Sequence, residues 1–369
     1  MNSNAKEKKL RILVDAREFV PDRFTGIGRV LKGLTYALAN NEAAEAVALA
    51  AYDKDLIPAE IRNSEKVIVE EISRSFLLSE KRLSSLTRKG FDVFISPYPK
   101  LPLFGCHCKS IHIIHDILDL THPAYRRRFK VLFDEYRLKR ALRKADLTWY
   151  DSTWSLKETK KYAGFAGKNP RVRYPGIDEK FRPEKSDNEN RVLEKYNLDP
   201  GYILVVGNGL PHKNLGVLLS IAKELERRLV FMGVPPDNQG YWMKKFPQAS
   251  AVWIKHAAEE ELPPLMQAAF CLAQPSTAEG YGYPPLEAMA CGTPAVVSNI
   301  PVLVETTGGN ALSAPPDDLS AWLNSFRKLE DNSTYSLLVE KGLKWVEPLQ
   351  GDRAWEGYLS DIKELLERN

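Results

Sequence analysis

Two glutamates, Glu279 and Glu287, stand eight positions apart with Gly280-Tyr281-Gly282-Tyr283-Pro284-Pro285 in the interval. Pro284 and Pro285 fit the first turn of a helix, where an amide has no intrahelical acceptor, and Gly292 fits its left-handed end. The amides of that helix start, with those of Gly280, Tyr281 and Gly282, could meet a diphosphate, because glycine lets backbone approach an anion closely. A carboxylate in the first turn would repel phosphate, so Glu287 is expected to take hydroxyls such as those of a ribose. Glu279, on the preceding loop, would meet a sugar. The pattern reads as a sugar-nucleotide site; the plain alternative is an ordinary Pro-capped helix with solvated glutamates.

A second constellation is Gly207-Asn208-Gly209-Leu210-Pro211-His212-Lys213-Asn214-Leu215, which follows an apolar run and opens a helical pattern with Asn214 as the expected N-cap. A cation at a helix start is unfavourable unless an anion neutralises it, which assigns Lys213 to a diphosphate. Thr25-Gly26-Ile27-Gly28-Arg29 is half of a dinucleotide fingerprint, with Leu31 at the third glycine's place, and alone reads as a structural turn. In Ile111-His112-Ile113-Ile114-His115-Asp116 the residues themselves suit His115 to a satisfied core position as well as to a functional one. Joining Cys106, Cys108, His112 and His115 into a metal site fits no zinc spacing, and the two histidines have opposite strand parity, so no metal is expected. Asp53-Lys54-Asp55 lies in a polar loop and reads as solvated.

The elements that must position these loops alternate along the chain. Strands are expected at Leu10 to Asp15, Val47 to Tyr52, Lys66 to Ile72, Asp92 to Pro97, Ile111 to Asp116, Leu147 to Asp151 and Arg171 to Tyr174, with a helix from Gly28 to Asn40. After a polar stretch from Asp178 to Pro200, a second series begins at Tyr202 to Val206. It continues with a helix from Leu215 to Arg228 and strands at Leu229 to Met232, Ala251 to Ile254, Phe270 to Gln274 and Ala295 to Ser298. Such alternation predicts an α/β fold of two Rossmann-like, doubly wound domains, with the chemistry on loops at the carboxyl ends of strands. The expected division is 1–178, a linker 179–200, and 201–350, with 351–369 as a C-terminal segment.

At 369 residues the chain suits two domains, and its four cysteines give no disulfide framework. The polar start from Met1 to Lys9 lacks the apolar core of a signal peptide and no run approaches a membrane span, which predicts a cytoplasmic protein. Charge divides unevenly: residues 1–180 hold 34 Lys and Arg against 23 Asp and Glu, and the remainder 18 against 25, so the halves carry +11 and −7. Much of the excess lies between Arg126 and Lys144. That run suits a solvated helix face with Phe129, Leu132, Phe133 and Tyr136 as its core side, or contact with an anionic membrane surface. No reading motif for nucleic acid accompanies it.

The segment from Glu279 to Pro294 resembles the most characteristic motif of the family 4 retaining glycosyltransferases: a glutamate, seven residues, a second glutamate, then Ala288-Met289-Ala290, Gly292 and Pro294. The resemblance extends over nearly the whole chain and is most specific between Gly207 and Pro316. It implies the GT-B fold, two Rossmann-like domains facing a central cleft, with the last helix crossing back toward the first domain. It implies retaining, metal-independent transfer of a hexose or related sugar from a nucleoside-diphosphate sugar to a glycan or lipid-linked glycan hydroxyl, without a cofactor. Peripheral attachment on the inner face of the membrane would follow for such acceptors. Under the resemblance Lys213 stabilises the leaving diphosphate, and Glu279 orients the transferred sugar with His115, a histidine lining the sugar pocket. Gly26 and Gly28 approach the donor, Glu287 takes the ribose, and Lys255 and His256 lie where the base is read. The family often has an arginine just after the first glycine of the Lys213 loop; Asn208 stands there, and His212 or Arg29 would have to compensate. The Pro-His-Lys-Asn form of the loop looks like bacterial enzymes of surface polysaccharide assembly. A sugar-nucleotide epimerase of the same fold, or a non-catalytic glycan-binding protein, are the alternatives.

Overall fold

The computed structural model describes residues 9–20, 25–125 and 128–368. The polar start and the basic residues Arg126 and Arg127 lie outside the described residues, and nothing is stated of the side chains of Arg128 and Phe129. Two compact units emerge, one built from the chain up to Gly176 and from Asp352 onward, the other from Ile177–Gly351.

The first unit holds a seven-stranded, wholly parallel sheet: β1 (Leu10–Asp15), β2 (Ala44–Ala51), β3 (Val67–Glu71), β4 (Val93–Ser96), β5 (Lys109–Ile114), β6 (Leu147–Tyr150) and β7 (Pro170–Val172). The spatial order is β3-β2-β1-β4-β5-β6-β7, so the winding reverses between β1 and β4. Ile12, Leu13, Val14, Ile111, Ile113 and Ile114 are all buried, as continuous apolar strands must be when helices cover both faces. The helix Gly26–Asn40 begins two residues before its expected start, because the Thr25 hydroxyl caps it by accepting from the Gly28 amide at 3.0 Å. Gly26 and Gly28 therefore sit inside the first turn of a helix.

The basic run forms the helix Arg128–Lys144. Its core side is Val131, Leu138, Ala141 and Leu142, a stripe at helical spacing, while Leu132, Phe133 and Tyr136 are exposed. The expected core side is thus corrected: those three residues fall on the opposite arc of the same helix. At the chain's end the helix Glu356–Glu367 packs within this unit. Trp149 Nε1 donates to Asp361 Oδ2 at 2.8 Å, Arg173 reaches Asp361 Oδ1 at 2.7 Å, and Tyr358 donates to the Arg173 carbonyl.

The second unit holds a six-stranded parallel sheet: β8 (Ile203–Val206), β9 (Leu229–Met232), β10 (Ala251–Ile254), β11 (Cys271–Gln274), β12 (Ala295–Ser298) and β13 (Leu312–Ala314). Its order, β10-β9-β8-β11-β12-β13, places the reversal between β8 and β11. β13 carried too few apolar residues to register in the sequence. Two other expectations change. The polar stretch is not a spacer: it forms the helix Glu189–Tyr196, whose Val192 and Leu193 are buried and whose end turns at the left-handed Asn197. Two apolar residues suffice to dock two helical turns, too short a pattern to show periodicity. The helix after Lys213 runs only Leu215–Ser220 before breaking into turns.

Candidate active site

In doubly wound sheets the loops that diverge at the switch point leave a crevice beyond the strand ends. In the second unit those loops follow β8 and β11, and they carry Lys213 and Glu279. Lys213 Nζ donates to Glu279 Oε1 at 2.6 Å, joining residues 66 positions apart. The same oxygen accepts from Gln274 Nε2 and Ser276 Oγ, each at 2.6 Å. Burial, the largest influence on the Glu279 carboxyl, would raise its pKa, but the charge and hydrogen bond of Lys213, with Ser276, outweigh it and hold it below the usual range. Glu279 is therefore ionised, with Oε1 saturated, while Oε2 makes no hydrogen bond among the described residues.

After Glu279 the chain turns through Gly282 at φ 95°, where a Cβ would lie 2.5 Å from Leu303 Cδ2, so glycine is required twice over. The helix Tyr283–Ala290 follows, with its prolines in the first turn, and Gly292 adopts φ 74° after it. Because the helix begins at Tyr283, Glu287 lies in its second turn, correcting the expected first-turn position. It is buried, and its charge, after burial itself, helps push the Cys291 thiol up. Tyr281 and Tyr283 are also buried and meet edge to face at 5.1 Å between ring centroids.

Lys213 ends a single 3-10 turn, Pro211–Lys213. Asn214 is left-handed, at φ 52°, and its side chain does not cap the helix; it donates instead to the carbonyls of Pro275 at 3.0 Å and Pro316 at 2.7 Å. The expected N-cap is thus a tie that binds the Lys213 loop to the end of β11. Asn208 is a turn-former whose Oδ1 accepts from the Leu210 amide, and His212, buried, gives its carbonyl to the Thr277 amide at 2.8 Å. Lys255 and His256 are exposed beyond β10, the outermost strand. No hydrogen bond or ion pair joins them to Lys213 or Glu279 among the described residues.

In the first unit His115 has both ring nitrogens engaged: Nδ1 with Asp151 Oδ2 at 2.5 Å and Nε2 with the Pro97 carbonyl at 3.0 Å. Both partners are acceptors, so both nitrogens donate and the ring is an imidazolium. Burial, the largest influence, lowers its pKa, but Asp151 and the Pro97 carbonyl together raise it. His112 is the opposite case, a core residue facing Thr148 whose pKa burial lowers to about 3.

A polar cluster that no sequence motif marked lies at the other switch point. Arg17 joins Asp15 at 2.7 Å and Glu80 at 3.2 Å, and Arg137 reaches the second Glu80 oxygen at 3.0 Å. Glu18 accepts from Thr25 Oγ1 at 2.5 Å and Tyr98 OH at 2.8 Å, tying the cap of the glycine helix to the end of β4. Lys100 Nζ sits 4.1 Å from the Tyr98 ring centroid, and burial lowers its pKa to about 8. The run Asp15-Ala16-Arg17-Glu18, directly after the first strand, was the available signal. Glu80 came from a helix that carried none.

Two Rossmann-like units, each with its polar loops at a switch point, define the GT-B architecture. The chain superimposes on a sucrose-phosphate synthase from Thermosynechococcus elongatus with a TM-score of 0.74 at 18% identity, covering 98% of this chain and 99% of that one. Anabaena HepE, solved in complex with UDP-glucose, superimposes with a TM-score of 0.76 at 15% identity, over 97% and 99% of the two chains. Residues 186–345 match the family Glycosyl transferases group 1, so the second unit carries that family's domain, and the resemblance to family 4 glycosyltransferases holds. The O-antigen chain mannosyltransferase B of Escherichia coli is 29% identical over 247 residues, 64% of this chain and 65% of the relative's length. That match spans just under two thirds of the relative.

Proposed function

We propose that this protein is a retaining, metal-independent glycosyltransferase that moves a hexose from a nucleoside-diphosphate sugar to a hydroxyl of a glycan or lipid-linked glycan in bacterial surface polysaccharide synthesis. The similarity to an O-antigen mannosyltransferase points to mannose as the sugar. The observation that carries the reading is the Lys213–Glu279 pair at the β8/β11 switch point, beside the Gly282 turn and the Pro-started helix. An ammonium has three hydrogens, so Lys213 can hold Glu279 and a phosphate oxygen together. As the bond from sugar to phosphate breaks, negative charge grows on the diphosphate, where Lys213 and loop amides are already aimed. The departing oxygen takes the acceptor's proton on the same face of the sugar, which retains the anomeric configuration. Glu279 offers Oε2 to a sugar hydroxyl, Glu287 takes the ribose, and backbone at Lys255 and His256 meets the base. His115, with both nitrogens committed, supplies fixed positive charge rather than a base.

Glu279 held ionised by Lys213 is a poor proton donor, which favours transfer over epimerisation at this site. The acceptor end of the proposal includes an anionic membrane surface. Phe76, Leu77, Leu78, Phe104, Leu132, Phe133 and Tyr136 are exposed on the first unit. Phe76 and Phe133 meet at 6.0 Å over the buried Arg137, and the exposed Lys81 lies over Phe104, which puts a cation at the edge of the apolar patch. No helix among the described residues is long and apolar enough to cross a membrane.

The two glutamates separate the donor's ends. Glu287→Gln should weaken free nucleoside diphosphate by about 1.5–3 kcal/mol, the worth of a hydrogen bond to a charged group. Glu279→Gln, which releases Lys213, should bind it at least as tightly as wild type and yet transfer slowly. Titration calorimetry with rate measurements decides. Nucleotide affinity unchanged in Glu287→Gln, or lost in Glu279→Gln, would show the donor to be placed wrongly.

A further inference from the structure

The loop that carries Lys213 has an unusual uniformity. Five consecutive carbonyls, Asn208 to His212, all accept hydrogen bonds from the protein. Those of Leu210 and Pro211 take the amides of Lys213 and Asn214, closing the 3-10 turn, and that of His212 takes the Thr277 amide. The other two are held from outside the loop. Asn238 Nδ2 donates to the Asn208 carbonyl at 2.7 Å and Trp242 Nε1 to the Gly209 carbonyl at 2.9 Å. Asn238 and Trp242 lie one turn apart on the helix Pro236–Lys245, hence on one face of it. The approach is close: a Cβ on Gly209, which adopts φ 67°, would lie 2.8 Å from Val234 Cγ1 and 3.4 Å from both Asn238 Cβ and Trp242 Nε1. The Trp242 ring also packs over Gly216, where a Cβ would sit 3.1 Å away.

Across a trans peptide the N–H points opposite to the C=O. With the Asn208 carbonyl fixed toward the Pro236–Lys245 helix, the Gly209 N–H faces away from that helix, and it makes no hydrogen bond among the described residues. The Asn208 N–H makes none either. On the same loop the Lys213 stem crosses Gly207, with Cδ and Cε each 3.5 Å from where a Cβ would stand. The loop thus turns these five oxygens into the protein and leaves two amides without a protein acceptor, beside an ammonium that Glu279 already holds through one hydrogen.

Resting on the donor reading above, we infer that Asn238 and Trp242 are positioning residues for the diphosphate. They hold the Asn208 and Gly209 carbonyls off the phosphates, and Asn238 thereby aims the Gly209 amide at them, while the Leu210 amide opposite the Gly209 carbonyl stays with Asn208 Oδ1; the loop does by backbone what an arginine at position 208 would do by charge. If either donor is lost, its carbonyl is free to rotate toward the anion, and a carbonyl oxygen repels phosphate.

The test is the affinity of Asn238→Ala, Trp242→Phe and the double variant for GDP, UDP and ADP, using whichever binds wild type most tightly, and for the matching nucleoside. Trp242→Phe keeps an aromatic ring in place; Asn238→Ala touches no core and carries the test if the tryptophan variant does not fold. Each single variant should weaken the nucleoside diphosphate about tenfold while nucleoside binding moves less than about twofold. Tyr241→Ala, an exposed change on the same helix, should alter neither. Equal losses for diphosphate and nucleoside would mean a merely structural role, and unchanged diphosphate affinity would also overturn the inference. A wild-type protein that binds none of the three would bring down the donor reading together with it.

Discussion

His115 spends both of its ring nitrogens inside the protein, and this changes what it can contribute. Its residues alone left it open between core and function; the structure makes it a buried cation between Asp151 and the Pro97 carbonyl. Its folded pKa is raised above the unfolded value of about 6.5, so the stability it adds is fully present below that pH and is lost as pH rises through the folded pKa. The gap in melting temperature between wild type and His115→Gln should therefore be widest below about pH 6.5 and narrow as the solution becomes alkaline. A gap that widened with pH would mean a neutral imidazole. Lys213 and Glu279 were each legible one at a time, the lysine from its place at an expected helix start and the glutamate from its spacing to Glu287. Their mutual bond was not, since no local rule links positions 66 apart. Asn214 misled for a related reason. Its type suits a cap, but two distant carbonyls compete for its amide and win.

At the scale of elements, the inner strands of the first sheet were visible because parallel strands buried on both faces are continuous apolar runs, while the edge strands β3 and β7, only partly covered, showed through β-branched residues. What the sequence concealed were short elements docked by few contacts, β13 and the helix Glu189–Tyr196. It also concealed which arc of a charged helix faces inward. On Arg128–Lys144 Phe133 and Tyr136 point out, and with the exposed start of the helix Phe76–Leu86 they form a patch that neither helix announces. If that patch meets an anionic bilayer, Leu77→Ser with Leu132→Ser should reduce cosedimentation with vesicles containing anionic lipid several-fold. Hydrolysis of soluble donor should stay the same. Both residues are more than half exposed, so the fold should tolerate the changes. Undiminished vesicle binding by the double variant would remove the patch from the account, leaving only a screened electrostatic attraction to explain any membrane affinity.

For the molecule as a whole, the two switch points present different chemistry. The second unit presents a lysine, loop amides and a paired carboxylate, while the more basic first half of the chain presents a buried imidazolium and the Asp15–Arg17–Glu80–Arg137 cluster. The two α/β units were legible in the alternation of strands and helices, and the polar loops of the second unit in one dense motif. The first unit's cluster was not, because its members come from three separate segments. The central claim is that Lys213 and backbone amides, rather than a metal ion, take the charge of the leaving diphosphate while the sugar keeps its configuration. It is tested most directly by following the anomeric proton by NMR as the purified protein consumes its nucleotide sugar in the presence of acceptor and excess EDTA. Transfer should be undiminished and the product should keep the donor's anomeric configuration. Inverted product, or activity abolished by EDTA and restored by magnesium or manganese, would contradict it.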